Sequence, residues 1–232
     1  MRYLRLVQCP PLMRLVVEQK QHRFLRKWAE SMSKILVING SYREDGITDQ
    51  TIEAMVQTVR AVGAEIEIVL LRAYPIEFCL NCRICTQPPG KAPAKCVFQD
   101  GMQELIDTIE LADGYILAAP TNCGSVTAIF KRFMERLTVY AYWPWEMNAP
   151  QFRKANLPKK KAVLVSSCAA PGFLGRWLYG THKQLKMTAQ TIGADTVGTL
   201  FTGLIAKQQR PKVSERLRAK AKDLAGKLVQ AG

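Results

Sequence analysis

The sequence predicts a three-layer α/β sandwich: a five-stranded parallel sheet in the order 2-1-3-4-5, with helices on both faces. Three observations predict it. Apolar runs rich in β-branched residues recur along the chain and alternate with longer helical patterns, the mark of βαβ units. The first run has no in-and-out alternation, which suits a strand covered on both faces. Small polar loops follow three of the strands, at the carboxyl ends where open α/β sheets bind ligands.

The elements follow in order. Residues 1–32 contain Pro10-Pro11, scattered arginines and no clean helical stripe before about Glu18. They are expected to be a basic extension, either a disordered arm or a stretch upstream of a true start at Met32. A short helix docking on a partner is the functional alternative. Residues 33–232 form the single domain. Lys34–Asn39 reads as a central strand ending in Gly40-Ser41, and Thr51–Arg60 as the first helix. Glu65–Leu71 alternates more and is expected nearer an edge. Gly114–Ala119, Lys161–Ser166 and Thr196–Phe201 supply the remaining strands. Helices are expected over 101–112, from about Val126, over 173–192 and over 211–230. Asp100 with Gln103 reads as a capping box opening the second helix.

The net charge of +14 sits mainly in the two ends. Residues 1–30 carry seven Lys/Arg against two acids, and residues 207–232 eight against two. The middle is nearly balanced, so a basic nucleic-acid-binding module is disfavoured. Seven cysteines and the lack of an apolar leader pattern suit a reducing compartment, and the cytoplasm is expected. No apolar run reaches the roughly 18 residues that a membrane span needs.

Three loops carry the candidate ligand site. In the first, a strand, a polar turn and a helix start offer backbone N–H groups and a positive dipole end to an anion. There Ser41 and Thr48 supply hydroxyls, Arg43 a charge-assisted contact and Gly46 a turn. The loop is not GxxxxGK[ST], which argues against a nucleotide triphosphatase. The second loop is Pro120, Thr121, Asn122, Cys123, Gly124 and Ser125. The third runs from Ser166 to Gly172 and includes Cys168 and Ala169. Both offer amides and hydroxyls with little bulk, as a flat ring requires. Together the three suit a flavin mononucleotide (FMN).

Cys79, Cys82 and Cys85, with two residues between successive cysteines, are followed by Cys96. Three readings stand: a [4Fe–4S] cluster, a zinc or thiol pair, and cysteines packed as small hydrophobes. Arg83, Lys91 and Lys95 would offset the charge of a thiolate-bound cluster. His22 and His182 share no spacing with a carboxylate pair, and no Ser-His-Asp arrangement points to hydrolysis.

On these residues the chain resembles the NADPH-dependent FMN reductase group of flavodoxin-like proteins, and within it the iron–sulfur flavoproteins. Gly40, Ser41, Arg43, Gly46 and Thr48 match the family's first-loop pattern. Cys79, Cys82, Cys85, Cys96 and Asp100 match its cysteine segment, and Ala112-Asp113-Gly114 and Pro120 through Arg136 the elements that follow. The resemblance implies FMN at the three loops, with the flavin N5 and no side chain carrying the chemistry. It also implies NAD(P)H as donor, a small-molecule acceptor such as a quinone or free flavin, and a homodimer or homotetramer. An electron carrier without efficient NAD(P)H turnover is the alternative. The chain departs from the pattern in two places. Asn122 stands where an aromatic is frequent; Trp143 or Trp145, from this subunit or a neighbouring one, is the candidate to cover the flavin, and a hydrophobic or dimer-contact patch is the alternative reading of both. The last cysteine gap, Thr86 to Lys95, is also longer than usual.

Overall fold

The structure, a computed structural model, describes residues 33–229. The expectations for residues 1–32 lie outside the described residues. Five strands build the sheet: β1 (Lys34–Asn39), β2 (Glu65–Leu70), β3 (Gly114–Ala118), β4 (Lys160–Ser167) and β5 (Ala194–Thr202). Their order is β2-β1-β3-β4-β5, all parallel, as predicted. The helices are α1 (Ile47–Ala61), α2 (Met102–Leu111), α3 (Ala128–Arg136), α4 (Gly172–Leu178), α5 (Thr181–Thr191) and α6 (Glu215–Val229).

Two apolar cores lie on opposite faces of the sheet. One joins Leu36, Ile38, Tyr115, Leu117 and Leu164 to Ile106, Phe130, Phe133 and Leu185 of α2, α3 and α5. The other joins Ile35, Val37, Ile116 and Val163 to Met55, Val59, Ala221 and Ala225 of α1 and α6. Successive side chains of a strand point to opposite faces, so each central strand feeds both cores. That is why the centres of β1, β3 and β4 (Ile35–Ile38, Tyr115–Ala118 and Ala162–Val165) are apolar without interruption.

The register aligns Asn39 with Ala118 and Ala118 with Val165. The loops leaving β1, β3 and β4 therefore emerge side by side, and the crevice between β1 and β3 is where the chain reverses its winding.

Two expectations change. The helix expected over 173–192 is broken between α4 and α5, because Tyr179 is extended and the Gly180 N–H donates to the Gly124 carbonyl at 2.8 Å. The Asp100–Gln103 capping box does not form. Gln103 Nε2 turns to Asp107 Oδ1, and the Asp100 carboxylate, while accepting from Met102 N–H, is drawn to Arg136. A tertiary cation outcompetes the local box.

Candidate functional site

The first loop is built on a buried side chain that sequence reasoning passed over. Asn39 at the end of β1 accepts from Ser41 N–H at 2.9 Å and donates through Nδ2 to Asp49 Oδ1 at 2.7 Å. Asp49 also accepts from Asp45 N–H, and Arg72 lies 3.5 Å from it while donating to the Ser41 carbonyl. This network folds residues 41–46 back over the start of α1. The N-cap of α1 is Gly46, whose lack of a side chain leaves the first-turn N–H groups without a capping acceptor. Free amides, a dipole end and the Ser41 and Thr48 hydroxyls thus share one corner. Arg43 stands exposed beside them, without an ion pair to any described residue. Gly40 is required by packing, since a Cβ there would lie 2.7 Å from the Phe130 ring.

The second loop is a hairpin. Thr121 and Asn122 pair with Val126 and Ser125, and the turn residues Cys123 and Gly124 both have positive φ (47° and 76°). That is a two-residue turn of type I′. The third loop leaves β4 with Cys168 buried, its Sγ 3.2 Å from the Ala170 carbonyl. Burial raises the Cys168 thiol pKa, and a backbone hydrogen bond from Ala170 only partly opposes the shift.

Together these loops wall a cavity of about 510 Å³. Ser41, Arg43, Gly46 and Thr48 line it at one side, and Pro120, Thr121, Asn122, Cys168 and Ala169 at the other. Four of the predicted residues are not part of the lining. Cys123 and Gly124 form the turn, and the Ser125 hydroxyl donates to Gln184 Oε1 at 2.8 Å. Gly172 instead lets two backbones approach, since a Cβ there would lie 2.7 Å from the Phe201 carbonyl oxygen. Two contributors outside the three predicted loops were missed. Thr127 lines the cavity while its hydroxyl donates to the Gly40 carbonyl at 2.6 Å. Residues 205–209 and Pro211 close a further side, and no motif in that segment marks it. Gln50 holds it to the first loop, donating to the Asp45 and Pro211 carbonyls and accepting from Val213 N–H.

The cysteines lie on the α2–α3 face of the sheet. Asn81 and Arg83 both take left-handed backbone conformations, which turn the chain between successive cysteines. Cys85 is buried; Cys79, Cys82 and Cys96 are half-buried. Burial first, and then the nearby Cys96, Cys79 and Cys82 thiols, push the Cys85 thiol up to about 11. Among the described residues no three His, Cys, Asp or Glu side chains converge as a metal cage. The four thiols are thus neighbours without being drawn together.

Three guanidiniums surround the segment. Arg136 pairs with Asp100 at 2.6 Å. Arg83 lies between Trp143 and Trp145, 3.8 and 4.5 Å from the ring centroids, and donates to the Trp143 carbonyl. Among the described residues Arg153 is hydrogen-bonded only to carbonyls. The tryptophans therefore do not line the cavity of their own chain; Arg83 takes them, because a ring face attracts a cation.

Residues 33–199 match the family model described as NADPH-dependent FMN reductase. The chain belongs to that family. Among curated relatives, an iron-sulfur flavoprotein of Archaeoglobus fulgidus is 32% identical over 111 residues, 48% of each chain. An iron-sulfur flavoprotein of Methanosarcina thermophila is 29% identical over 103 residues, covering 44% of this chain and 51% of that one. The chain therefore spans about half the length of the curated relatives it matches. Among solved structures, an FMN-dependent NADH-azoreductase of Bacillus anthracis aligns with a TM-score of 0.63 at 11% identity, over 85% of this chain and 99% of the other. A flavone reductase aligns with a TM-score of 0.57 at 19% identity, over 85% and 62%. These likenesses show the fold.

The residues present fit the cofactor in the family's name. The cavity falls within the ~300–1,000 Å³ range of small-ligand sites, has anion-binding groups at one end, and is lined by narrow polar loops at the other. The cysteine segment fits an anionic thiolate centre in its chemistry, with four thiols beside more guanidinium than carboxylate. Among the described residues it lacks the closed geometry. No helix among the described residues is long and apolar enough to cross a membrane.

Proposed function

We propose that this chain is an FMN-dependent oxidoreductase. It takes electrons from NAD(P)H and passes them to a small acceptor such as a quinone or free flavin, with Cys79, Cys82, Cys85 and Cys96 holding a [4Fe–4S] cluster. The observation that carries the reading is the shared cavity at the carboxyl ends of β1, β3 and β4, with an uncapped helix start at one corner. FMN, when bound, supplies the hydride- and electron-transferring ring. The chain's own part is to hold and orient it. Ser41 and Thr48 hydroxyls and the α1 amides bind the phosphate, and Arg43 covers it from the solvent side. The backbones of Thr121–Asn122 and Cys168–Ala169 flank the ring, and the 205–209 wall restricts water.

Among the described residues Arg43 makes no ion pair, so replacing it tests binding with little effect on folding. Arg43→Ala is expected to weaken FMN retention by about tenfold, the worth of one charge-assisted contact. Flavin content and dissociation constant equal to the unaltered protein's would remove the phosphate assignment.

The cluster is supported by the cysteine spacing, the excess of guanidinium around the thiols and the names of the relatives. Anaerobically purified protein is expected to show two visible flavin bands, a broad shoulder between them, and iron and sulfide. Flavin bands alone, with neither iron nor sulfide, would leave FMN as the sole redox group.

A further inference from the structure

The hairpin that walls one side of the cavity has little of its own to hold its shape. Its ladder is two residue pairs long, Thr121 with Val126 and Asn122 with Ser125, around the Cys123–Gly124 turn. A two-stranded hairpin by itself is marginal at best in water. The start of α5 supplies what the ladder lacks. The Gly180 N–H donates to the Gly124 carbonyl at 2.8 Å, and the buried Thr181 hydroxyl donates to the Thr121 hydroxyl at 3.0 Å. Gln184, one turn further on, accepts twice through Oε1: from the Ser125 hydroxyl at 2.8 Å and from the Val126 N–H at 3.0 Å. A backbone N–H can only donate, so the atom facing Val126 is the amide oxygen. Val126 is enclosed, and a buried N–H left without an acceptor is costly. Among the described residues the Gln184 Nε2 has no hydrogen-bond partner, so the side chain acts on the hairpin through its oxygen. Gln184 stands outside the cavity lining, whereas Thr121 and Asn122 stand in it.

We propose that Gln184 is a positioning residue of the flavin site: by holding the Ser125–Val126 side of the hairpin to α5, it sets where the Thr121–Asn122 backbone stands against the ring. This rests on the FMN reading above. Two substitutions separate the oxygen from the bulk of the side chain. Glutamate keeps an acceptor at the same reach, and methionine keeps the length but offers only a weak thioether acceptor.

The test uses the full chain as Gln184→Met and Gln184→Glu. Three quantities are measured: the FMN dissociation constant, the visible circular dichroism of the flavin at saturating FMN, and the unfolding midpoint of the FMN-free chain. The ring is achiral, so its dichroism reports the groups held around it and not the overall stability of the chain. Gln184→Met is expected to bind FMN about tenfold more weakly, the equivalent of one lost buried hydrogen bond, and to show altered dichroism when saturated. Gln184→Glu is expected to stay within about twofold of the unaltered dissociation constant, since a carboxylate accepts at least as well as an amide, and to keep the dichroism.

Unchanged affinity in Gln184→Met would overturn the proposal, whatever happens to its unfolding midpoint. Weaker binding with unaltered dichroism would mean that the ring wall stands as before, and overturns it too. So would an equal loss in both variants, because Gln184→Glu keeps the acceptor. If Gln184→Met does not fold, Ser125→Ala decides, since it removes one of the two donors from the Gln184 oxygen. Binding about threefold weaker with altered dichroism then supports the proposal, and either readout unmoved ends it. Failure of the unaltered protein to bind FMN is a separate result, which removes the FMN reading and this inference with it.

Discussion

Replacing Gly203 with alanine is expected to cost about 3 kcal/mol of stability and to release FMN, a large effect for one added methyl group. The reason is what the methyl would meet. A Cβ at Gly203 would lie 2.1 Å from the Gly172 nitrogen, 2.4 Å from the Ala170 oxygen and 2.6 Å from the Pro171 carbonyl carbon. All three are backbone atoms, and no rotamer change can move them aside. The loop after β4 would have to separate from the end of β5, breaking the Leu204 N–H to Ala170 contact at 3.0 Å and shifting the Cys168–Ala169 wall of the cavity. Denaturant unfolding and flavin content of Gly203→Ala measure the two effects. An unchanged midpoint with full flavin would mean that the loop and strand end do not pack as described.

Arg136→Met is expected to destabilise the protein by about 3 kcal/mol, the lower end of the range for breaking a buried pair. Arg136 is fully enclosed and holds Asp100 through both terminal nitrogens, at 2.6 and 3.0 Å, and the Glu77 carbonyl at 2.9 Å. Without it the Asp100 carboxylate keeps only the Glu77 and Met102 N–H groups as recorded partners. Burial alone would raise the Asp100 pKa, but the Arg136 hydrogen bonds and the Glu77 and Met102 N–H groups outweigh it and hold the carboxyl below its usual range. A carboxyl held low in the folded state contributes stability that is fully present above its unfolded pKa of about 3.9 and is lost as pH falls below it. The gap in stability between the original and Arg136→Met is therefore expected to narrow between about pH 5 and pH 3. A further Asp100→Asn change in the variant is expected to recover part of the loss, since no unpaired charge then remains. A gap independent of pH would mean that Arg136 acts by packing alone.

Much of the fold was legible because its signals are local. Lys34–Asn39 and Gly114–Ala118 announce themselves as covered strands by unbroken apolar composition, and the loops after them by their small polar residues. The cavity followed, because strand order and register place those loops together. What was not legible depends on partners far along the chain. Arg153 reaches carbonyls more than sixty positions away, and no spacing rule marks a side chain that serves distant backbone. Asp100 matched a local capping pattern, and only the fold reveals that Arg136 takes it. The tryptophans near 143 looked suited to a flavin because an aromatic was missing at Asn122. Their place was decided instead by Arg83, three positions from Thr86, whose carbonyl accepts from Trp143 N–H at 2.8 Å. Ser125 was grouped with its loop by composition, and a contact with Gln184 from α5 removed it.

The bond set of Gln50 has a bearing on how the protein is made. One face of the cavity comes from residues 205–211 and the opposite corner from residues 41–48, and Gln50 joins them through Pro211 and Val213. The phosphate corner emerges early from the ribosome, whereas its closing wall emerges only after β5. Domains complete their packing as their last strands arrive, so a growing chain can form the corner but cannot enclose a cofactor in it. On the function proposed above, retained flavin is then expected to report a finished chain.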